Sequence, residues 1–237
     1  MTEEQIKQQI SQVGKRMYDS GFVAANDGNI SVKLSETEVL TTPTGVSKGF
    51  MTPEMLVKVN MEGKVIETTG AWQPSSELKM HLRVYKERPD VWAVVHAHPP
   101  YATTFAVARM PLNKPLIAEA VVSLGCVPVT EYAAPSTSEV PDAVAHYLEH
   151  FDAVLLANHG ALAWGQDLLT AYHKLESVEF YAKLTFLSKQ LGEAQELSKN
   201  QVDCLYEIRK KLALPGRHPG NCCGLECKAV CKRKASL

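Results

Sequence analysis

The sequence predicts a single α/β domain built around a mixed β-sheet, on the evidence of its length and its alternating patterns. At 237 residues the chain can bury a full hydrophobic core, and this length fits one large domain better than two. Segments with apolar residues at helical spacing alternate along the chain with short segments typical of strands. This alternation is characteristic of an α/β or mixed-sheet α+β fold.

Helices are predicted where apolar residues recur at helical spacing after a capping residue. The first helix begins after Thr2 and ends near Gly21, and a second begins at Ser75 or Ser76 and ends near Arg88. Further helices are predicted from Tyr101 onward and over residues 138–150, 167–191 and 198–212.

Strands are predicted where polar and apolar residues alternate, or where a short apolar run lies between turn residues. The segment 92–95 is too apolar for an edge strand, so it is expected in the centre of the sheet. The predicted strands cover residues 29–34, 38–42, 57–60, 64–67, 92–95 and 153–157, and residues 161–164 continue in an extended form.

The charge pattern excludes several classes of partner. The formal net charge is −1, and no basic stripe marks a nucleic-acid or membrane surface, so neither partner is expected. No apolar run is long enough to span a bilayer, and the acidic, polar start of the chain is unlike a secretory signal. The sequence therefore predicts a cytoplasmic protein.

Two histidines one residue apart, His96 and His98, close an apolar run and are the most informative feature of the chain. Side chains at positions i and i+2 of a strand point to the same face, so both imidazoles are expected to converge. His159 ends another short apolar run, and Glu77 lies at the start of a helical pattern. Three imidazoles and a carboxylate suit a divalent transition metal, zinc first, in a catalytic site.

Simpler interpretations of the same residues remain open. A single histidine at a strand end is more often a hydrogen-bonded structural residue, and Glu77 fits the first turn of a helix because of the helix dipole. His81, four residues after Glu77, is an alternative ligand. It also fits the inward face of the helix, and we interpret it as a core residue or a neighbour of the ligands.

Small polar residues in turns and at a helix start predict a phosphate pocket. Hydroxyl groups, an amide and exposed backbone N–H groups can hold a phosphate without a lysine. Ordinary capping and turn chemistry explains the same residues more simply. The residues concerned are Asn29, Thr44, Gly45, Ser75 and Ser76.

Five ordered segments together resemble the class II aldolase family, which includes fuculose-phosphate aldolases, ribulose-phosphate 4-epimerases and the adducin head. The resemblance covers about residues 3–212. It implies a three-layer α/β fold with a mixed, largely antiparallel central sheet flanked by helices, and a homotetramer with active sites between subunits. The matching segments are Gly28-Asn29-Ile30-Ser31, Thr42-Pro43-Thr44-Gly45, Pro74-Ser75-Ser76-Glu77, His96-Ala97-His98 and Asn158-His159-Gly160.

The resemblance also implies roles for the candidate residues. His96, His98 and His159 resemble the ligands of one zinc ion per subunit. Glu77 resembles the carboxylate that binds the metal at rest and then acts as the general base, and the five small polar residues resemble the phosphate pocket. The aldolase branch carries Glu where the 4-epimerase branch carries Asp, so Glu77 favours an aldolase.

The function that the resemblance implies is the reversible cleavage of a (deoxy)ketose 1-phosphate to dihydroxyacetone phosphate and an aldehyde. L-fuculose 1-phosphate, with L-lactaldehyde as the aldehyde, is the model substrate. Rhamnulose, 5-deoxyribulose and methylthioribulose 1-phosphates are equally open. Alternatives are a 4-epimerase, a decarboxylase of a phosphorylated sugar acid, or an adducin-like interaction domain without catalysis. The presence of all three histidines and Glu77 argues against the last.

The proton donor is where this sequence departs from the family pattern. Fuculose-phosphate aldolases use a mid-chain tyrosine and a second tyrosine from the C-terminal region of a neighbouring subunit. Here Glu119 occupies the mid-chain position, and Tyr206 is the last tyrosine of the chain. Glu119, Tyr206 and His218 are therefore three open candidates.

The end of the chain has a different composition, which predicts a domain over residues 1–214 and a cysteine-rich basic tail over residues 215–237. Cys126 and Cys204 stand alone in the sequence, so no disulfide framework is predicted. A disordered tail with reduced thiols, a docking helix directed to a bacterial metabolic compartment, and a second metal site are the three interpretations. The tail cysteines are Cys222, Cys223, Cys227 and Cys231.

Overall fold

The computed structural model describes residues 1–192 and 194–221. Its helices in this part of the chain are α1 (Glu3–Asp19), α2 (Leu78–Glu87), α3 (Pro100–Val107), α4 (Ala118–Ser123), α5 (Glu139–Ala145), α6 (Leu168–Gln190) and α7 (Lys199–Lys211). The strands are β1 (Asn29–Lys33), β2 (Glu38–Thr41), β3 (Val57–Asn60), β4 (Val65–Glu67), β5 (Ala93–Ala97), β6 (Ala153–Leu156) and β7 (Gly160–Gly165). Short 3₁₀ helices cover Pro53–Met55 and Pro219–Asn221.

The strands form one seven-stranded sheet in the order β4-β3-β2-β1-β5-β7-β6. Every neighbouring pair is antiparallel, and a parallel bridge joins Val129 to Leu155 of β6. The prediction of a largely antiparallel sheet is therefore confirmed. The apolar strand β5 lies between β1 and β7, as expected from its composition.

Helices cover both faces of the sheet and give three layers. Side chains of β5 alternate between two cores: Val95 packs with residues of α1, α3 and α6, whereas Val94 packs with residues of α2 and α5. The same alternation on β7 directs Ala163 to the first core and Trp164 to the second. Because β5 is apolar on both faces, it is buried on both, and the predicted three-layer fold is confirmed.

The structure differs from the prediction at the start of α2 and at α4. Neither Ser75 nor Ser76 caps α2, because Glu77 occupies the N-cap position and its own N–H donates to Ser75 Oγ at 3.3 Å. The hydroxyl thus forms a local turn instead of a helix cap. The short helix α4 was not predicted, because six residues are too few to show helical periodicity.

The start of the predicted tail packs against the domain. His218 is buried, and Pro219 lies close to Gly125. Cys204 is a free thiol, whereas Cys126 is disulfide-bonded, so the expectation that Cys126 stands alone is wrong; sequence spacing does not reveal tertiary pairing. The four tail cysteines lie outside the described residues. No helix within the described ranges is long and apolar enough to cross a membrane.

Candidate active site

The fold brings three histidines to one edge of the central sheet. His96 lies on β5 opposite Asn29 of β1 and Leu162 of β7, and His98 follows directly after the strand. His159 lies in the turn between β6 and β7. Because β7 starts beside the end of β5, with Ala161 paired to Ala97, this turn places His159 next to the other two rings.

The three imidazoles converge on one point. His98 Nε2 lies 3.1 Å from His96 Nε2, and the ring centroids of the three pairs are 4.9, 4.7 and 5.0 Å apart. One nitrogen from each of the three histidines lies within 4.8 Å of the others. His96 is fully buried, whereas His98 and His159 are partly exposed, so the cluster opens to solvent on one side.

Glu77 completes the cluster from the start of α2. Its Oε1 lies 3.0 Å from His159 Nε2, its Oε2 lies 3.3 Å from His96 Nε2, and Asn29 Nδ2 donates to Oε2 at 3.0 Å. Burial would raise the pKa of Glu77, but the imidazoles of His159 and His96 beside the carboxylate outweigh it and hold the pKa well below its ordinary value. The side chain is therefore a carboxylate.

In two of the rings the contact made by Nδ1, the nitrogen that faces away from the cluster, determines that the lone pair lies on Nε2. His96 Nδ1 lies 2.9 Å from the carbonyl oxygen of Ala161, and His98 Nδ1 lies 3.3 Å from Asp27 Oδ2. Both partners can only accept, Asp27 as a carboxylate, so we assign the proton of each neutral ring to Nδ1. Burial, together with the repulsion that His96 and His159 would exert when protonated, lowers the pKa of His98 to about 4, so this ring is neutral at pH 7.

The donor set fits a divalent metal ion. The unprotonated Nε2 atoms of His96 and His98 face each other at 3.1 Å and repel each other. A cation bound between these nitrogens and the Glu77 carboxylate would remove the repulsion. Nδ1–H groups bonded to a carbonyl or a carboxylate are the usual arrangement behind metal-binding histidines. The chemistry of these side chains suits a divalent transition metal ion in a catalytic site.

Two glycines allow the turns to close around the histidines. A Cβ atom at Gly160 would lie 2.5 Å from the carbonyl oxygen of Ala97 and 2.6 Å from His98 Cδ2, distances that no side chain tolerates. Gly28 has a φ of +73°, and a Cβ there would lie 2.9 Å from the carbonyl oxygen of His96. Each glycine thus permits a close approach of backbone to the strand that carries the ligands.

The segments proposed to bind phosphate lie side by side next to Glu77. The N–H of Thr44 donates to the carbonyl of Gln73 at 2.9 Å, and the N–H of Ser75 donates to the carbonyl of Thr42 at 3.3 Å. Gly45 has a φ of +73° and is exposed. The structure thus brings the predicted segments 42–45 and 74–77 together beside the histidine cluster, and Asn29 contacts Glu77 from the start of β1.

The three candidate proton donors lie elsewhere in the protomer. Glu119 is exposed on α4, and Tyr206 on α7 packs edge-on against His218 with ring centroids 5.4 Å apart. His218 uses both nitrogens: Nε2 donates to the carbonyl of Val121 at 2.8 Å, and Nδ1 accepts from the N–H of Gly220 at 3.0 Å. Within the described residues no hydrogen bond or ring contact joins any of the three to the cluster. Because both ring nitrogens of His218 bond to the backbone, we interpret it as a structural residue and not as a proton donor.

His81 is a core residue, as predicted. It is fully buried on α2, and its Nδ1 lies 2.7 Å from Ser31 Oγ, which in turn lies 2.7 Å from the hydroxyl of Tyr85. Burial is the main reason why the pKa of His81 is lowered to about 3. The ring is therefore neutral and bonded into the layer between β1 and α2.

Asp27 and the carbonyl of Ala161 are the participants that sequence reasoning missed. Asp27 stands in the turn before β1, two residues before Asn29, and a carboxylate this close to a predicted site residue was the available signal. The carbonyl of Ala161 left no signal in the sequence, since every residue has a carbonyl group.

Comparisons with known proteins agree with this geometry. Residues 8–186 match the Class II Aldolase and Adducin N-terminal domain. The 5-deoxy-D-ribulose 1-phosphate aldolase of Bacillus thuringiensis serovar kurstaki is 36% identical over 202 residues, which cover 84% of this chain and 92% of that protein. The 3-oxo-tetronate 4-phosphate decarboxylase of Haemophilus influenzae is 35% identical over 190 residues, or 78% and 89% of the two chains.

A solved structure of an L-fuculose 1-phosphate aldolase superposes with a TM-score of 0.79 at 35% identity, covering 87% of this chain and 96% of that one. The chain therefore belongs to the class II aldolase and adducin family. It is an enzyme of the lyase class, to which aldolases belong.

Proposed function

We propose that this protein is a metal-dependent aldolase that cleaves a (deoxy)ketose 1-phosphate, such as L-fuculose or 5-deoxyribulose 1-phosphate, reversibly to dihydroxyacetone phosphate and an aldehyde. The observation that carries the proposal is the convergence of His96, His98 and His159 on the Glu77 carboxylate, beside two turns rich in hydroxyl and N–H groups. A site of this kind combines a cation, a base and an anion pocket.

In this proposal His96, His98, His159 and Glu77 hold one Zn²⁺ per subunit. Three neutral imidazoles and one carboxylate form the donor set of a catalytic zinc site, in which a protein ligand can give way to substrate. When bound, the ion supplies Lewis-acid stabilisation of negative charge on substrate oxygens, worth several kcal/mol. No lysine that forms a Schiff base is needed.

Glu77 is the general base of the proposed reaction. Its carboxylate removes the proton of the C4 hydroxyl, and the C3–C4 bond then breaks to release the aldehyde. The electron pair remains on the other fragment as an enediolate, and a proton added at C3 gives dihydroxyacetone phosphate. The hydrogen bond from Asn29 Nδ2 to Glu77 Oε2 leaves Oε1 on the side of His159, near the solvent-facing part of the cluster.

The two adjacent turns orient the substrate. The hydroxyl groups of Thr44, Ser75 and Ser76, the backbone N–H groups of Gly45 and Ser76, and the amide of Asn29 are proposed to bind a phosphate at one end of the substrate. Binding energy gained at the phosphate fixes the reacting carbons relative to Glu77, which lowers the entropic part of the barrier.

Glu119 and Tyr206 are proposed to act from a neighbouring subunit of a homotetramer. Neither contacts the histidine cluster of its own protomer within the described residues, whereas the helices that carry them, α4 and α7, pack together. Either group would supply the proton that C3 of the enediolate takes up if α4 and α7 of one subunit met the open side of the cluster in its neighbour.

Decarboxylation is the second candidate, because a relative of nearly equal identity is named as a 3-oxo-tetronate 4-phosphate decarboxylase. Loss of CO₂ from such a 3-oxo acid leaves the same enediolate as aldol cleavage. The two reactions therefore require the same site and differ only in the fragment that leaves.

A substrate panel separates the two candidates. Fuculose, rhamnulose, ribulose, 5-deoxyribulose and methylthioribulose 1-phosphates, with 3-oxo-tetronate 4-phosphate, would be incubated with zinc-loaded and with chelated protein. Metal-dependent release of dihydroxyacetone phosphate together with an aldehyde from a ketose 1-phosphate is the expected result. Release of CO₂ from the oxo acid alone would replace the aldolase by the decarboxylase. A zinc-loaded protein that converts none of these compounds would favour a 4-epimerase, whereas a protein that neither binds zinc nor converts them would favour an adducin-like binding role.

A further inference from the structure

Lys48 is a buried lysine that the proposed reaction leaves without a role. Only 1% of the residue is exposed. Its Nζ donates to the carbonyl of Val46 at 2.7 Å and to the carbonyl of Asn26 at 3.2 Å. One ammonium group therefore joins the turn that carries Thr44 and Gly45 to the turn that precedes Asn29.

The charge on this buried group is only partly compensated. Burying an ammonium group costs free energy that an apolar side chain of the same size would not cost. No carboxylate within the described ranges forms an ion pair with Lys48, although the charge of Asp27 acts on it. Burial lowers the pKa of Lys48 to about 8 and Asp27 opposes the shift, so the side chain is still mostly protonated at pH 7.

The pocket proposed for the phosphate group contains only neutral donors. A phosphate dianion bound there needs positive potential, which hydroxyl and amide groups supply weakly. Lys48 Nζ is bonded to the carbonyl of Val46, the residue after Gly45, so its charge lies directly behind this turn. An ammonium group shielded from water acts on a nearby anion more strongly than an exposed lysine does.

We propose that Lys48 is a positioning residue for the substrate phosphate: it holds the two turns in register, and its buried positive charge stabilises the dianion from behind the turn. The inference rests on the proposed function, because it assigns Lys48 to the phosphate pocket described there. Lys48 does not touch the substrate, and the reacting carbons lie beyond its reach.

The test compares phosphate binding in four proteins with zinc bound: the wild type, Lys48→Met, Lys48→Gln and Lys33→Met. Lys48→Gln keeps a donor for the carbonyl of Val46 without the charge. Lys33 is a matched control, because it is also buried, on β1, but sits at the opposite end of the strand from Asn29 and pairs with Glu36. The dissociation constant of inorganic phosphate is measured by ³¹P NMR titration, and KM and kcat with the best ketose 1-phosphate of the panel.

Both substitutions of Lys48 are expected to weaken phosphate binding by roughly tenfold or more and to raise KM similarly, with kcat within about threefold of wild type. Lys33→Met should bind phosphate as the wild type does. If Lys48 had only a structural role, Lys48→Met would lower kcat as well as phosphate affinity, and Lys48→Gln would bind phosphate as tightly as the wild type. Either result would overturn the inference. Turnover of the panel by a wild-type protein that binds no phosphate would also overturn it, while leaving the proposed reaction intact.

Discussion

The environments of His98, which is partly buried, and His218, which is fully buried, look alike until the contacts of their ring nitrogens are compared. His98 in the cluster and His218 near the end of the described chain both have pKa values lowered to about 4, with burial as the main cause. His218 has each ring nitrogen bonded to a backbone group. His98 has its outer nitrogen near Asp27 and its inner nitrogen 3.1 Å from His96.

This difference teaches that burial and a lowered pKa do not distinguish a ligand from a structural residue. A histidine whose two nitrogens both bond to backbone has no lone pair left for a metal or a substrate. A histidine whose outer nitrogen donates has its inner lone pair fixed in direction. A metal ligand is therefore distinguished from a structural histidine by a ring nitrogen that keeps its lone pair and directs it towards the other ligands.

The largest expected effect comes from removing a ring of the cluster. His98→Ala should lose the bound metal and reduce dihydroxyacetone phosphate release by about 10³-fold or more, because it removes one of three imidazoles and the Lewis-acid contribution with it. Metal analysis of the purified variant and steady-state turnover measure this. A variant that retained one metal per chain would contradict the assignment of His98 as a ligand.

A smaller effect is expected when the base is replaced and the rings remain. Glu77→Gln has nearly the same shape but cannot take up a proton, so kcat should fall by about 10²- to 10⁴-fold. The three histidines should still hold the metal, which elemental analysis would show. Full activity in this variant would show that another group is the base.

The smallest effect on activity is expected at His218. Gln can both donate to the carbonyl of Val121 and accept from Gly220, so His218→Gln should leave metal content and kcat unchanged. It should, however, change the acid stability. The pKa of His218 is lower in the folded state than in the unfolded chain, so the unfolded state takes up a proton first as the pH falls.

The stabilisation from neutral His218 is therefore complete above about pH 6.5 and is lost between about pH 6.5 and 4. This loss amounts to at most about 3 kcal/mol. Urea unfolding of wild type and His218→Gln at pH 7 and pH 4.5 should show a smaller decline in the variant, while His81 contributes equally to both proteins. If the free energy of unfolding fell equally in both proteins, or if the variant lost metal, the assignment of His218 as a structural residue and His98 as a ligand would be wrong.

Much of the fold could be predicted because its signals are local. The apolar strand around Val94 was predicted at the centre of the sheet and lies there, and Thr2 caps α1 with a full capping box. The i, i+2 spacing correctly predicted that the side chains of His96 and His98 lie close together. These features depend on alternation, periodicity and capping, which a sequence records directly.

The remaining features depend on contacts between distant segments. Glu77 rather than a serine starts α2, because the turn around Ser75 pairs with the turn around Thr42. No sequence pattern marks Lys48 as an interior residue, yet it is buried between two turns. The proposed roles of Glu119 and Tyr206 depend on a second subunit and stay predictions, as does the division of the chain at residue 214.

The most direct test of the whole account is the metal content of the wild-type protein before chelation, after chelation and after zinc is added back. The account predicts one divalent metal per chain, loss of dihydroxyacetone phosphate release when the metal is removed, and recovery of release when one equivalent is restored. Full activity in the metal-free protein, or a wild-type chain that binds no metal, would contradict it.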